Sequence, residues 1–104
     1  MLPPDAQYED AVLAESAEKV EEPPLFKVLL HNDDFTTMEF VIWVLETIFN
    51  MPEEQAVQVM LNVHLRGSGV AGIYTFEIAE TKVQKTLGLA REHEFPLLVT
   101  MEQV

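Results

Sequence analysis

Cysteine is absent from the 104 residues. That excludes disulfide scaffolds, thiolate nucleophiles and cysteine-ligated zinc, and it fits a reducing compartment. Positive charge is scarce as well. Six Lys and Arg stand against 18 Asp and Glu, for a formal net charge of −12. Such a chain lacks the basic footprint that neutralises phosphates, which argues against nucleic acid or an anionic membrane as partner. No apolar run reaches the ~20 residues of a membrane span. The first residues are acidic, whereas a signal peptide opens on basic ones. What remains is substantial apolar content, 48% of residues, too much for wholesale disorder. The expectation is one small, soluble, acidic, cytoplasmic domain with a single core.

Charge is uneven along the chain. Residues 1–24 hold seven acids and a single base, Lys19, together with four of the six prolines and neither Phe nor Trp. Their weakly apolar stretch Ala11–Val20 is too short to offset the entropy of ordering by itself. Residues 1–24 therefore read as a flexible, disordered acidic arm ended by Pro23-Pro24, and residues 25–104 as the folded domain.

Within the domain, Leu25–Leu30 reads as a strand ending in the polar cluster His31-Asn32-Asp33-Asp34. Thr36 or Thr37 is suited to cap a helix, and Glu39 lies three residues after Thr36, as a capping box requires. That helix should run to about Phe49, with Glu39, Trp43, Glu46 and Asn50 on its watered stripe. Pro52 opens a second helix with Glu53 and Glu54 in its first turn, which ends at Arg66-Gly67-Ser68-Gly69. Val70–Phe76 reads as a strand and Glu77–Arg91 as a third helix. Gly88 in that helix favours fraying of its C-terminal part. Phe95–Met101 reads as a last strand, pushed towards a sheet edge by Pro96. The order β-α-α-β-α-β predicts an α+β domain, a three-stranded antiparallel sheet packed on three helices.

Three features carry chemistry: the Asn32-Asp33-Asp34 cluster, His64, and two methionine-bearing helical stripes. Met38, Val41 and Leu45 share a face of the first helix, and Met60, Val63 and His64 share a face of the second. A short link at Asn50–Pro52 makes those helices neighbours. Each feature has an ordinary structural reading, as core, as a hydrogen-bonded histidine, or as turn chemistry. Together they describe an apolar slot with carboxylate, amide and imidazole at its mouth. An α-ammonium has three donors and one positive charge. Asp33 would supply the countercharge, Asn32 an amide oxygen and neutral His64 a ring nitrogen, while methionine supplies adaptable walls for an aromatic ring. The ligand class is a peptide with a free N-terminus and a bulky first residue. Blocking its amine would leave Asp33 desolvated and unpaired.

These residues carry a family resemblance. Lys27-Val28-Leu29-Leu30-His31-Asn32-Asp33-Asp34-Phe35-Thr36-Thr37-Met38-Glu39-Phe40-Val41 resembles the signature of the ClpS adaptors of the Clp protease. So do Met60-Leu61-Asn62-Val63-His64, Gly72-Ile73-Tyr74-Thr75, Ala79-Glu80-Thr81-Lys82-Val83 and Pro96-Leu97-Leu98, in unbroken order through 25–104. The resemblance implies a non-enzymatic, cofactor-free, metal-free N-degron adaptor that works as a monomer. It would bind N-terminal Phe, Tyr, Trp or Leu and deliver the substrate to the AAA+ unfoldase ClpA or ClpC. Asn32, Asp33 and His64 would hold the α-amino group. Thr36, Met38, Val41, Met60, Val63 and Leu97 would wall the side-chain pocket, with Asp34 near its rim and Met38 as the gate against β-branched Ile and Val. Glu77 and Lys82 match the family's docking surface for the unfoldase's N-terminal domain, and the arm 1–24 would engage the unfoldase during hand-off. Thr37 replaces a frequent proline, which implies a looser loop at the pocket edge. Trp43 stands where the family often has a polar residue.

Two other classes compete. An enzyme or metal site is disfavoured because His31, His64 and His93 lack ligand spacing and no nucleophile or phosphate loop is recognisable. A ribosomal-stalk-like interaction domain is compatible with the same α+β order. It leaves the convergence of Asn32, Asp33 and His64 on a methionine slot without an explanation.

Overall fold

Strand β1 (Leu25–His31) alternates as a half-covered strand must. Val28 and Leu30 are fully buried, while Lys27, Leu29 and His31 face the other way. The computed structural model describes residues 22–104, so the acidic arm read at 1–24 lies, apart from its last three residues, outside the described residues. Thereafter come α1 (Met38–Thr47), α2 (Glu53–Arg66), β2 (Ser68–Thr75), α3 (Phe76–Glu92) and β3 (Leu98–Gln103). The sheet is antiparallel with order β2-β1-β3. This is the expected α+β architecture, with the first strand in the middle.

The core lies between the sheet and the helices. Val28, Leu30, Ala71 and Val99 from the strands meet Val44 and Leu45 of α1, Ala56, Met60 and Val63 of α2, and Ala79, Val83 and Ala90 of α3. A bulge in β2 shifts its register against Val28 and Leu29. Beyond it, Gly72 pairs with Val28 and Tyr74 with Phe26, on the helix side. The Tyr74 ring lies where a Cβ on Gly72 would stand, so this glycine is set by close approach. On the open face of the sheet, His31 Nε2 and Thr100 Oγ1 are 2.7 Å apart, and Lys27 pairs with Glu102 at 3.2 Å.

Several boundaries differ from the sequence reading, each for a local reason. His31 belongs to β1, held by pairing on both sides to Ser68 and Leu98. The cap of α1 is Thr37, whose hydroxyl accepts the Phe40 N–H at 3.2 Å. Thr36 serves the preceding loop, so the Thr36–Glu39 capping box does not form. α1 ends at Thr47, with Asn50 in the left-handed region at φ 55, a conformation asparagine tolerates. β2 begins at Ser68, directly after the α2 cap, and Phe76 already belongs to α3. α3 continues past Gly88 to Glu92. It closes with the Phe95 N–H on the Ala90 carbonyl (2.8 Å) and the Glu94 N–H on Arg91 (3.0 Å), a Schellman arrangement with Glu94 at φ 62. Phe95 therefore belongs to this turn, its ring 4.8 Å from that of Phe40, and β3 starts only at Leu98, on a sheet edge as Pro96 suggested.

Candidate functional site

The link from β1 into α1 is built around one carboxylate. Asp33 Oδ1 accepts the N–H groups of Phe35 (2.8 Å) and Thr36 (2.7 Å), and Oδ2 accepts the Thr36 hydroxyl at 2.7 Å. Partial burial pushes the Asp33 carboxyl up, but the hydrogen bonds from the Thr36 backbone, the Thr36 hydroxyl and the Phe35 backbone outweigh it. The net pKa lies below the ordinary value of 3.8. The loop is thus tied at Asp33 by three hydrogen bonds. Asp33 also has three partners before any ligand arrives, which corrects the expectation that an absent amine would leave it unpaired.

A second tie joins this loop to α2. The Asn32 N–H donates to the Gly67 carbonyl at 2.9 Å, and Gly67 itself caps α2, its N–H on Val63 at 3.0 Å. Gly67 has φ 94, the left-handed conformation that ends helices and that glycine adopts without penalty. His64 sits one turn before this cap. Two segments distant in sequence are therefore pinned at the point where Asn32 and His64 face a common space.

That space is a cleft of about 450 Å³ lined by Asn32, Asp33, Asp34, Thr36, Met38, Val41, Met60, Val63 and His64. These are nine of the ten residues picked from the sequence for the amine and side-chain sites. The tenth, Leu97, is buried in the same core cluster as Val41, Met60 and Val63. Phe35, Thr37 and Glu39 also line it and were not picked. Their only sequence signal was interleaving with the chosen residues in one loop. The apolar floor grades from buried to open: Val63, Val41 and Met60 are buried, whereas Met38 is 44% exposed. His64 and Asn32 are exposed at the polar end. The arrangement offers oxygen and nitrogen acceptors at one end and aliphatic and thioether walls at the other. Among the described residues there is no group of three His, Asp or Glu placed to hold a metal ion, and no helix is long and apolar enough to cross a membrane.

Glu77 and Lys82 lie elsewhere. With Thr47, Ile48, Asn50, Ile78, Thr81 and Lys85 they line a second cleft of about 480 Å³ between the C-terminal end of α1 and α3. Lys82 Nζ donates to the Ile48 carbonyl at 2.6 Å and sits 5.7 Å from the Phe49 ring centre and 5.3 Å from that of Tyr74. A cation there satisfies an orphan carbonyl at the end of α1 and complements its dipole. Burial pushes the Tyr74 phenol up, so the ring beneath Lys82 stays neutral.

Comparison with known proteins identifies the family. The family model of the ATP-dependent Clp protease adaptor protein ClpS matches residues 21–100. The ClpS adapter protein of Myxococcus xanthus is 50% identical over 98 residues, 92% of each chain. That of Desulfatibacillum aliphaticivorans is 55% identical over 91 residues, 88% of each chain. Among solved structures, Agrobacterium tumefaciens ClpS2 bound to L-phenylalaninamide superposes with a TM-score of 0.77 at 42% identity, covering 80% of this chain and all of that one. With the fold and the match over most of its length in agreement, the chain belongs to the ClpS family of Clp protease adaptor proteins.

Proposed function

We propose that this adaptor recognises N-degrons: it binds proteins whose free N-terminal residue is Phe, Tyr, Trp or Leu and delivers them to a Clp AAA+ unfoldase, ClpA or ClpC. The observation that carries the reading is the single cleft in which Asn32, Asp33 and His64 meet Met38, Val41, Met60 and Val63. L-phenylalaninamide, the molecule bound by the Agrobacterium relative, has the same two ends, an α-ammonium and a bulky apolar side chain.

In this reading the ammonium directs one N–H to the remaining acceptor site of Asp33, one to the Asn32 side-chain oxygen and one to a ring nitrogen of neutral His64. The first side chain enters between Thr36, Met38, Val41, Met60, Val63 and Leu97, with Asp34 near the rim. Met38, half in solvent, gates the slot against β-branched Ile and Val. No bond is made or broken. Glu77 and Lys82 dock the unfoldase's N-terminal domain, and the segment 1–24 engages the unfoldase at hand-off, with the adaptor acting as a cytoplasmic monomer.

Magnitudes explain why both ends are required. Burying a Leu or Phe side chain contributes roughly 1.5–3 kcal/mol, and a hydrogen bond to a charged group roughly 1.5–3 kcal/mol. Association alone costs about 4 kcal/mol or more. Neither contribution suffices, whereas the slot together with several charge-assisted bonds does. Calorimetry with a Phe-initiated peptide and its N-acetylated twin tests this. The free peptide should bind and the acetylated one should show no measurable heat. Equal affinities would sink the amine-recognition reading.

A further inference from the structure

The second cleft does not end at Lys85. Thr47, Ile48 and Lys85 also line a neighbouring groove of about 420 Å³ whose other walls are Trp43 and Leu89. The two form one trough along α1 and α3. On α3, Ile78, Lys82, Lys85 and Leu89 recur at helical spacing beside the buried row Ala79, Val83, Thr86 and Ala90. At the far end Trp43 is 39% exposed. Its ring centre lies 5.8 Å from that of Phe40 and 5.6 Å from that of His93. The Thr47 hydroxyl donates to the Trp43 carbonyl at 2.7 Å, which ties the two groove residues of α1 together.

A tryptophan steadied by packing and still part bare loses little freedom on binding, and such residues carry much of the energy at protein interfaces. Charge indicates what should sit opposite. On a chain of net charge −12, two of the five bases in the folded part, Lys82 and Lys85, line this trough. Lys82 already serves the Ile48 carbonyl, whereas Lys85 is exposed. The fitting occupant presents an apolar side chain next to a carboxylate, and the groove runs without a break into the Glu77–Lys82 face.

We infer that Trp43 and Leu89 extend the docking face for the N-terminal domain of the Clp unfoldase, receiving an apolar side chain of that domain while Lys85 faces an acidic one. This rests on the adaptor reading above and adds to it a contact made by Trp43 and Leu89, beyond the Glu77–Lys82 face.

Trp43 is the only tryptophan in the chain, which makes the test direct. The 104-residue chain is labelled with 5-hydroxytryptophan, so that its emission is excited apart from the partner's, and titrated with intact ClpA or ClpC hexamer. Docking should shield the label from acrylamide quenching, and Trp43→Ala should weaken docking at least about tenfold. Trp43→Phe should recover part of the loss. The same Trp43→Ala protein should still bind a Phe-initiated peptide at the other cleft, which shows that it is folded. Docking with unchanged quenching and unchanged affinity of Trp43→Ala overturns the inference and leaves the adaptor reading intact, whereas no docking at all overturns both. A label already shielded in the free chain also overturns it. Shielding independent of concentration would mean that the segment 1–21 fills the groove, and shielding that grows with concentration would mean a second copy does.

Discussion

An ionised carboxylate has about four lone-pair sites, and the loop takes three of Asp33's. One residue therefore shapes the loop and, in the proposed function, neutralises the ligand. Substitution separates the two roles. Asp33→Asn keeps an oxygen for the Phe35 and Thr36 N–H groups but removes the charge. It should melt close to wild type while binding a Phe-initiated peptide about 10- to 100-fold more weakly, by calorimetry. Asp33→Ala removes both and should abolish measurable binding. The pH dependence follows from the lowered pKa of Asp33. Its ionised form contributes fully above the ordinary carboxylate value of 3.8, and that contribution is lost as pH falls through the lower folded-state pKa. Across roughly pH 8 to 5 Asp33 stays ionised.

Helix ends decide how well the elements hold the cleft. Gly67 caps α2 at φ 94 and also accepts the Asn32 N–H. An added Cβ there meets no atom within 4 Å, so the cost of Gly67→Ala is conformational, about 1–2 kcal/mol. It should also loosen the polar end of the cleft and weaken peptide binding. Gly88 is the opposite case. It lies inside α3 with open space for a Cβ, and Gly88→Ala should stabilise the domain by about 1 kcal/mol in urea unfolding. The elements were legible from the sequence because apolar periodicity and Pro52 mark where β1, α1, α2 and α3 lie. Most of the cleft was legible because its residues fall on two helical stripes and one loop. What stayed open or was misplaced shares a cause. Thr36 or Thr37 as the cap and Phe95 as turn or strand are choices between neighbours. They depend on tertiary partners, namely Asp33 for Thr36 and Phe40 for Phe95. The exposure of Phe35 beside the cleft was equally out of reach, since nothing local distinguishes an open aromatic from a buried one.

At the scale of the molecule, α1 sets the distance between the two clefts. Its first turn, with Met38, Glu39 and Val41, borders the peptide cleft, and its last, with Thr47 and Ile48, borders the Lys82 cleft. Ten residues at 1.5 Å each give about 15 Å of separation, so the surfaces proposed for substrate and unfoldase do not compete for the same residues. The sheet order adds a mechanical asymmetry. β1 is both the first strand and the middle one, and the Val104 N–H donates to the Leu25 carbonyl at 2.9 Å, so the start of the sheet and the chain's C-terminus lie side by side. Tension between residue 22 and Val104 peels β3 from β1 one pair at a time. Tension between residue 22 and an attachment at Leu98, at the opposite end of β3, loads the six β1–β3 pairs together in shear. Single-molecule pulling should record a distinctly higher rupture force in the second geometry, because a sheet pulled along its middle strand yields only when the whole ladder does.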